Sequence, residues 1–159
     1  MNKAVFLDRD GVINKERGYT HRLEDFEILP DLINALRLLK QKGYLLIVVS
    51  NQSGIAQNLY KQEEVEVLHK FMSDEFIKNG IKLEEIYYCI HHPTVSNCIC
   101  RKPDSLFIEK SLARFDIDPA QSFFIGDKDR DIEAAGKAGV KGILIKANTP
   151  LHAIMDLIA

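Results

Sequence analysis

Four short, unbroken apolar runs punctuate the chain, at Ala4 to Leu7, Leu45 to Val49, Ser122 to Ile125 and Gly142 to Ile145. Runs of this length without alternation predict strands buried on both faces. Ile86 to Tyr88 is a weaker fifth candidate. Between the runs the pattern changes to a helical period. Asp31 to Lys42 carries Leu32, Ala35, Leu36 and Leu39 and stops at Gly43, while Glu63 to Asn79 carries Val65, Leu68, Met72 and Phe76 before Gly80. Shorter helical patterns cover Leu106 to Phe115 and Asp131 to Ala138. Thr149 and Pro150 read as the cap and first position of a last helix ending near Ile158. Strands alternating with helices predict an α/β fold: a Rossmann-like, three-layer arrangement whose parallel sheet is covered on both faces. The 159 residues predict a single domain, 1–159, and the stretch from Gly11 to the helix near Asp31 is too short for a large cap domain.

Polar residues placed just after the strands carry the first functional signal. Asp8 follows one apolar run directly, Ser50 follows another, and Asp127 stands two residues after Ile125. Open parallel sheets bind ligands at the carboxyl ends of their strands, so these three are expected to converge. Any one alone reads equally well as a strand-end or capping residue.

Charge narrows the field of partners. Lys plus Arg number 21 against 23 Asp plus Glu, a formal net charge of -2, so there is no basic footprint for nucleic acid or an anionic membrane. A bound anion must therefore be held locally. No apolar run approaches the roughly 20 residues of a membrane span, and the start lacks a signal-peptide layout. A cytoplasmic protein is expected, and nothing in the sequence hints at more than a monomer.

Asp8-Arg9-Asp10-Gly11 sets two carboxylates two positions apart after a strand, with a glycine that lets the chain turn away. One carboxylate can hold Mg2+ and attack phosphorus while the other protonates the leaving oxygen. Ser50, Asn51, Gln52 and Ser53, followed by Gly54, offer hydroxyl, amide and backbone donors to phosphate oxygens. Arg101 and Lys102 add two cations next to Pro103, and Asp127 with Lys128 follows the strand at Ser122 to Ile125 and completes a Mg2+ shell. Asp131, in the first turn of a helix, reads chiefly as a partner for the helix dipole.

All three cysteines fall between residues 89 and 100, too local for a disulfide framework. Cys89, Cys98 and Cys100 with His91 or His92 make the ligand set of a closed tetrahedral zinc site. Four protein ligands leave no open position, so such a zinc is structural.

In order, FLDRDG, VSNQSGIA, CRKP and GDK resemble the four motifs of the haloacid dehalogenase-like hydrolase superfamily, over nearly the whole chain. FLDRDGVIN, SNQSGIA and YYCIHHP leading to CICRKP are most similar to its heptose 1,7-bisphosphate phosphatase branch, with histidinol-phosphate phosphatases the nearest relatives. The resemblance implies that Asp8 forms an aspartyl-phosphate and that Asp10 acts as general acid and then base. Ser50 and Lys102 would stabilise the transferring phosphoryl group, and Arg101 would orient the substrate. Mg2+ would sit on the Asp8 side chain, the Asp10 carbonyl and Asp127, with Lys128 holding Asp8 or a phosphate oxygen. Glu16, Arg17, Gly18 and Tyr19 would line the substrate side of the first loop. The family's C-x-H spacing assigns zinc to Cys89, His91, Cys98 and Cys100, a loop spanning 89–100 that would place Arg101 and Lys102. The implied activity is Mg2+-dependent release of the 7-phosphate of a D-glycero-D-manno-heptose 1,7-bisphosphate, a sugar-phosphate step in cell-envelope polysaccharide synthesis.

Gln57-Asn58 stands where the heptose branch often carries arginine, and Asp104-Ser105 replaces the usual residues after CRKP. Histidinol phosphate is the alternative substrate. A zinc-stabilised binding module whose carboxylates only cap helices is the alternative of a different class.

Overall fold

The computed structural model describes residues 1–158. Five strands, β1 (Lys3–Leu7), β2 (Tyr44–Asn51), β3 (Glu85–Cys89), β4 (Phe123–Gly126) and β5 (Lys141–Leu144), form one all-parallel sheet in the order β3-β2-β1-β4-β5. Four α-helices connect them: α1 (Leu32–Gln41), α2 (Gln62–Lys78), α3 (Leu106–Arg114) and α4 (Asp129–Lys137). Alternate residues of β1 serve opposite faces, as the two-residue period of a strand requires. Val5 and Leu7 pack with Leu32, Leu36, Leu39, Leu68, Met72 and Phe76 of α1 and α2. Ala4 and Phe6 pack with Ile108, Ala134 and Ala135 of α3 and α4. These are the three layers that the alternating pattern predicts.

β3 is an edge strand with four half-buried residues, which explains why its apolar run is weak in the sequence. The last helix departs from expectation. Thr149 turns its hydroxyl back to the Lys146 carbonyl, so it caps no helix; Pro150 takes the extended cap position, and a 3-10 helix, Leu151–Leu157, follows. Residues 8–31, between β1 and α1, contain only one short 3-10 turn, Leu23–Asp25, and no cap domain.

The strand order decides where the site lies. The chain leaves β1 toward β2 and β3, then crosses back to β4 and β5 on the other side. The crevice of such a sheet opens beyond the carboxyl ends of the two strands at this switch point, here β1 and β4. Asp8 and Asp127 are the residues that leave them.

Candidate active site

Lys102 is the hub of the site. Its ammonium, 2% exposed, donates to Asp8 Oδ1 at 2.9 Å and to the Val49 carbonyl at 2.7 Å, and lies 2.7 Å from Asp131 Oδ1 as an ion pair outside hydrogen-bond angles. Burial alone would push this ammonium down, but the carboxylates of Asp8 and Asp131 outweigh it and hold Lys102 above its ordinary value. On Asp8 the balance differs. Burial, offset in part by Lys102 and reinforced by Asp131 and Asp10, pushes the Asp8 carboxyl up to about 8. Two acids thus share one lysine.

Asp127 sharpens this imbalance. Its side chain is 1% exposed, and neither carboxylate oxygen has a hydrogen-bond partner among the described residues; Lys128 Nζ is 3.9 Å from Oδ2. Asp8, Asp127 and Asp131 present one oxygen each within 4.8 Å of one another, an arrangement able to hold a metal ion. Buried, unpartnered carboxylate oxygens are costly unless a cation joins them. Asp131, which the sequence reading left out of the metal shell, joins Asp8 and Asp127 in this cluster; that reading gave the metal the Asp10 carbonyl and not its carboxylate. Asp10 turns its side chain aside: Oδ1 accepts from Arg9 Nε and Nη2 and from Asn14 Nδ2, and Oδ2 accepts from Arg9 Nη2 and Gln52 Nε2.

Two glycines make room for this cluster. Gly11 has φ +87°, and a Cβ there would stand 2.4 Å from Asp127 Oδ2; a Cβ on Gly126 would stand 2.3 Å from that of Asp131. We expect Gly11→Ala to lower kcat by about tenfold or more by displacing Asp127. Phosphate release at saturating Mg2+ measures this, and full activity would disprove the tight fit.

A cleft of about 320 Å³ opens at Asp10 and Lys128, next in sequence to Asp127, and is lined also by Glu16, Gly18, Tyr19, Asn51, Gln52, Ser53, Arg101 and Arg130. Arg101 Nη1 and Arg130 Nε are buried without partners among the described residues, so the cleft offers unused cationic donors. Ser50 is buried and lies outside this lining, its hydroxyl accepting from Gln52 at 2.8 Å. Tyr60 completes the relay by donating to Gln52 Oε1 at 2.7 Å, and burial first of all pushes its hydroxyl up to about 12. Arg17 also lies outside the cleft, paired outward with Glu27. Lys128 lies beside Asp127, while Lys102 takes the place on Asp8. Asn51 clamps the Lys102 backbone, donating to its carbonyl at 3.1 Å and accepting from its N–H at 3.0 Å.

Sequence reading assigned no role to Arg9, His69, Tyr60 or Arg130 and left Asp131 as a dipole partner. Arg9 alone had a legible signal: a charge flanked by the two acidic residues at the end of a buried strand.

Cys89, His91, Cys98 and Cys100 gather at the end of β3, all donor atoms within 4.8 Å of one another. Cys89 Sγ is 3.7 Å from Cys98 Sγ and 3.4 Å from His91 Nδ1, and His91 Nδ1 is 3.3 Å from Cys100 Sγ. Two sulfurs about 2.3 Å from one tetrahedral zinc stand roughly 3.7 Å apart; the Cys89–Cys98 pair has that spacing, while Cys89 and Cys100, 3.0 Å apart, stand closer. The cysteines are free thiols, and burial pushes that of Cys89 up.

A family model described as HAD-hydrolase-like matches residues 99–153. The chain belongs to the haloacid dehalogenase-like hydrolase family and is a phosphatase of that family. It is 38% identical to the D-glycero-beta-D-manno-heptose-1,7-bisphosphate 7-phosphatase of Haemophilus ducreyi, over 98% of this chain and 96% of the relative. To a D-glycero-alpha-D-manno-heptose-1,7-bisphosphate 7-phosphatase of Photorhabdus laumondii it is 36% identical, over 93% and 85%. Among solved structures, the D,D-heptose 1,7-bisphosphate phosphatase from B. bronchiseptica, complexed with magnesium and phosphate, matches with a TM-score of 0.85 at 28% identity, over 97% and 86% of the two chains. No helix of the described residues is long and apolar enough to cross a membrane.

Proposed function

We propose that this protein is a Mg2+-dependent phosphatase that releases the 7-phosphate of a D-glycero-D-manno-heptose 1,7-bisphosphate through an aspartyl-phosphate on Asp8. The observation that carries this reading is the buried Asp8–Lys102–Asp131 group with the open carboxylate of Asp127 beside it, next to a cleft furnished with arginine donors. Asp8 and Asp127 are the side chains that would hold Mg2+, with the Asp10 carbonyl. Mg2+ there would neutralise the phosphoryl oxygens and keep Asp8 ionised against the burial that pushes its carboxyl up.

An Asp8 oxygen attacks phosphorus as the bond from phosphorus to the leaving oxygen breaks; Asp10 gives that oxygen its proton. Asp10 then takes a proton from water, whose oxygen attacks the aspartyl-phosphate and restores Asp8. Lys102, held by Asp131 and the Val49 carbonyl, keeps positive charge beside the transferring group through both steps. Arg101, Lys128 and Arg130 supply cations for the second phosphate, and Arg130 does so in a chain where Gln57 instead donates to Tyr19 at 3.2 Å. Zinc is the metal that Cys89, His91, Cys98 and Cys100 would hold, as a structural ion.

Phosphate release from heptose 1,7-bisphosphate and from histidinol phosphate, with Asp8→Asn as the blank, tests the proposal. We expect the bisphosphate to be preferred in kcat/KM and Asp8→Asn to fall below detection. Preference for histidinol phosphate would keep the mechanism and change the substrate; turnover by Asp8→Asn would remove the nucleophile.

A further inference from the structure

Arg9 is a buried charge whose contacts the mechanism above leaves unused. It is 0% exposed, and a guanidinium in that position must be satisfied on every side. One edge forks onto Asp10 through Nε at 3.2 Å and Nη2 at 2.9 Å; Nη2 also donates to the Thr20 carbonyl at 2.6 Å. At the other end Nη1 meets His69 Nε2 at 3.1 Å, in the middle of α2. Arginine only donates, so His69 Nε2 must accept and its proton sits on Nδ1. Burial, helped by Arg9, pushes His69 down to about 3, which keeps the ring neutral and able to accept. Yet Nδ1 is itself buried without a partner among the described residues. A leucine would fill this space without that penalty, so packing does not account for the imidazole.

We infer that His69, acting through Arg9, is a positioning residue that sets the Asp10 carboxyl for proton transfer to the leaving oxygen. The inference rests on the proposed role of Asp10. Asp10 stands on the turn after β1, with 19% of its side chain exposed at the cleft, whereas α2 is packed into the core through Val65, Leu68 and Met72. Arg9 transmits the fixed position of the helix to the turn. The fork onto Asp10 fixes the plane of its carboxyl, and the His69 contact stops the guanidinium from sliding along it.

Leaving-group dependence separates positioning of an acid from general support of the fold. Departure of a sugar alkoxide needs the proton of Asp10, whereas p-nitrophenolate leaves without one, and kcat/KM reports the steps up to that departure. The experiment compares kcat/KM for heptose 1,7-bisphosphate, or for histidinol phosphate if that is the better substrate, with kcat/KM for p-nitrophenyl phosphate. We expect Asp10→Asn to lose about 100-fold more on the alkyl than on the aryl substrate. His69→Leu and Arg9→Lys should show the same selective loss, about tenfold, while His69→Gln, whose amide oxygen can accept from Arg9, holds the ratio near that of the parent. Equal losses on both substrates in His69→Leu and Arg9→Lys, beside a selective Asp10→Asn, overturn the inference. A loss in Asp10→Asn that is equal on both substrates instead removes the proposed acid, and the inference with it. Melting temperatures of all four variants show which of them fold.

Discussion

Replacing Lys102 with methionine is expected to lower kcat by at least about 10³-fold and to lower the melting temperature by on the order of 10 °C. The side chain is sealed between Asp8 and Asp131, and methionine keeps its unbranched shape, one atom shorter, while removing the charge. Two buried carboxylates then face each other without a cation. Breaking a buried pair in this way costs about 3–5 kcal/mol, because the stranded charge stays out of water. Neutralising one acid should return part of that stability, so Lys102→Met combined with Asp131→Asn should melt above the single variant yet remain inactive. Thermal unfolding and phosphate release read the two effects separately. An active Lys102→Met would end the assignment of Lys102 to the transferring phosphoryl group.

Removing zinc is expected to have the next largest effect, and to act on substrate binding more than on the chemical step. Metal analysis should find about one zinc per chain, and binding should release protons, since burial holds the Cys89 thiol up until a metal takes its sulfur. Chelation, or Cys100→Ser, should lower the melting temperature by on the order of 10 °C, the loss expected when a tightly held ion leaves the folded state. Sequence reading let the zinc loop place both Arg101 and Lys102. The structure divides them: Asn51 holds the Lys102 backbone from both sides, whereas Arg101, between Lys102 and Cys100 of the Cys/His cluster, keeps a buried Nη1 without a partner among the described residues. KM should therefore rise by about tenfold or more while kcat changes by less. A fall in kcat at constant KM would show instead that zinc supports the nucleophile's surroundings.

Much of this molecule was legible in the chain. The β1 residues Lys3–Leu7, the helical spacing of Leu32, Leu36 and Leu39, and the Cys/His cluster between 89 and 100 are local patterns, set by periodicity or by a close spacing that neighbours along the chain satisfy together. Even the convergence of Asp8 and Asp127 followed from strand polarity, because a parallel sheet brings all its carboxyl ends to one side. The last helix was misread because Thr149 has two local options, capping forward or donating backward, and only the position of Lys146 decides between them.

Tertiary structure alone decided which charges pair. Nothing within a few residues of Asp131 marks it as the second anchor of Lys102, since its acidic side chain suits the first turn of α4 equally well. Likewise His69 falls among ordinary core positions of α2 until the helix lies against the turn that carries Arg9. Burial is the physical reason: a charge in water has no fixed partner, whereas one sealed between layers must find its counter-charge within about 3 Å, and which residue supplies it depends on how distant segments pack. Local pattern along the chain set the layers, the end of the sheet that carries chemistry and the gathering of Cys89, His91, Cys98 and Cys100. Packing of α2 and α4 against the carboxyl ends of β1 and β4 decided how the acids, the lysine and the arginine divide the work.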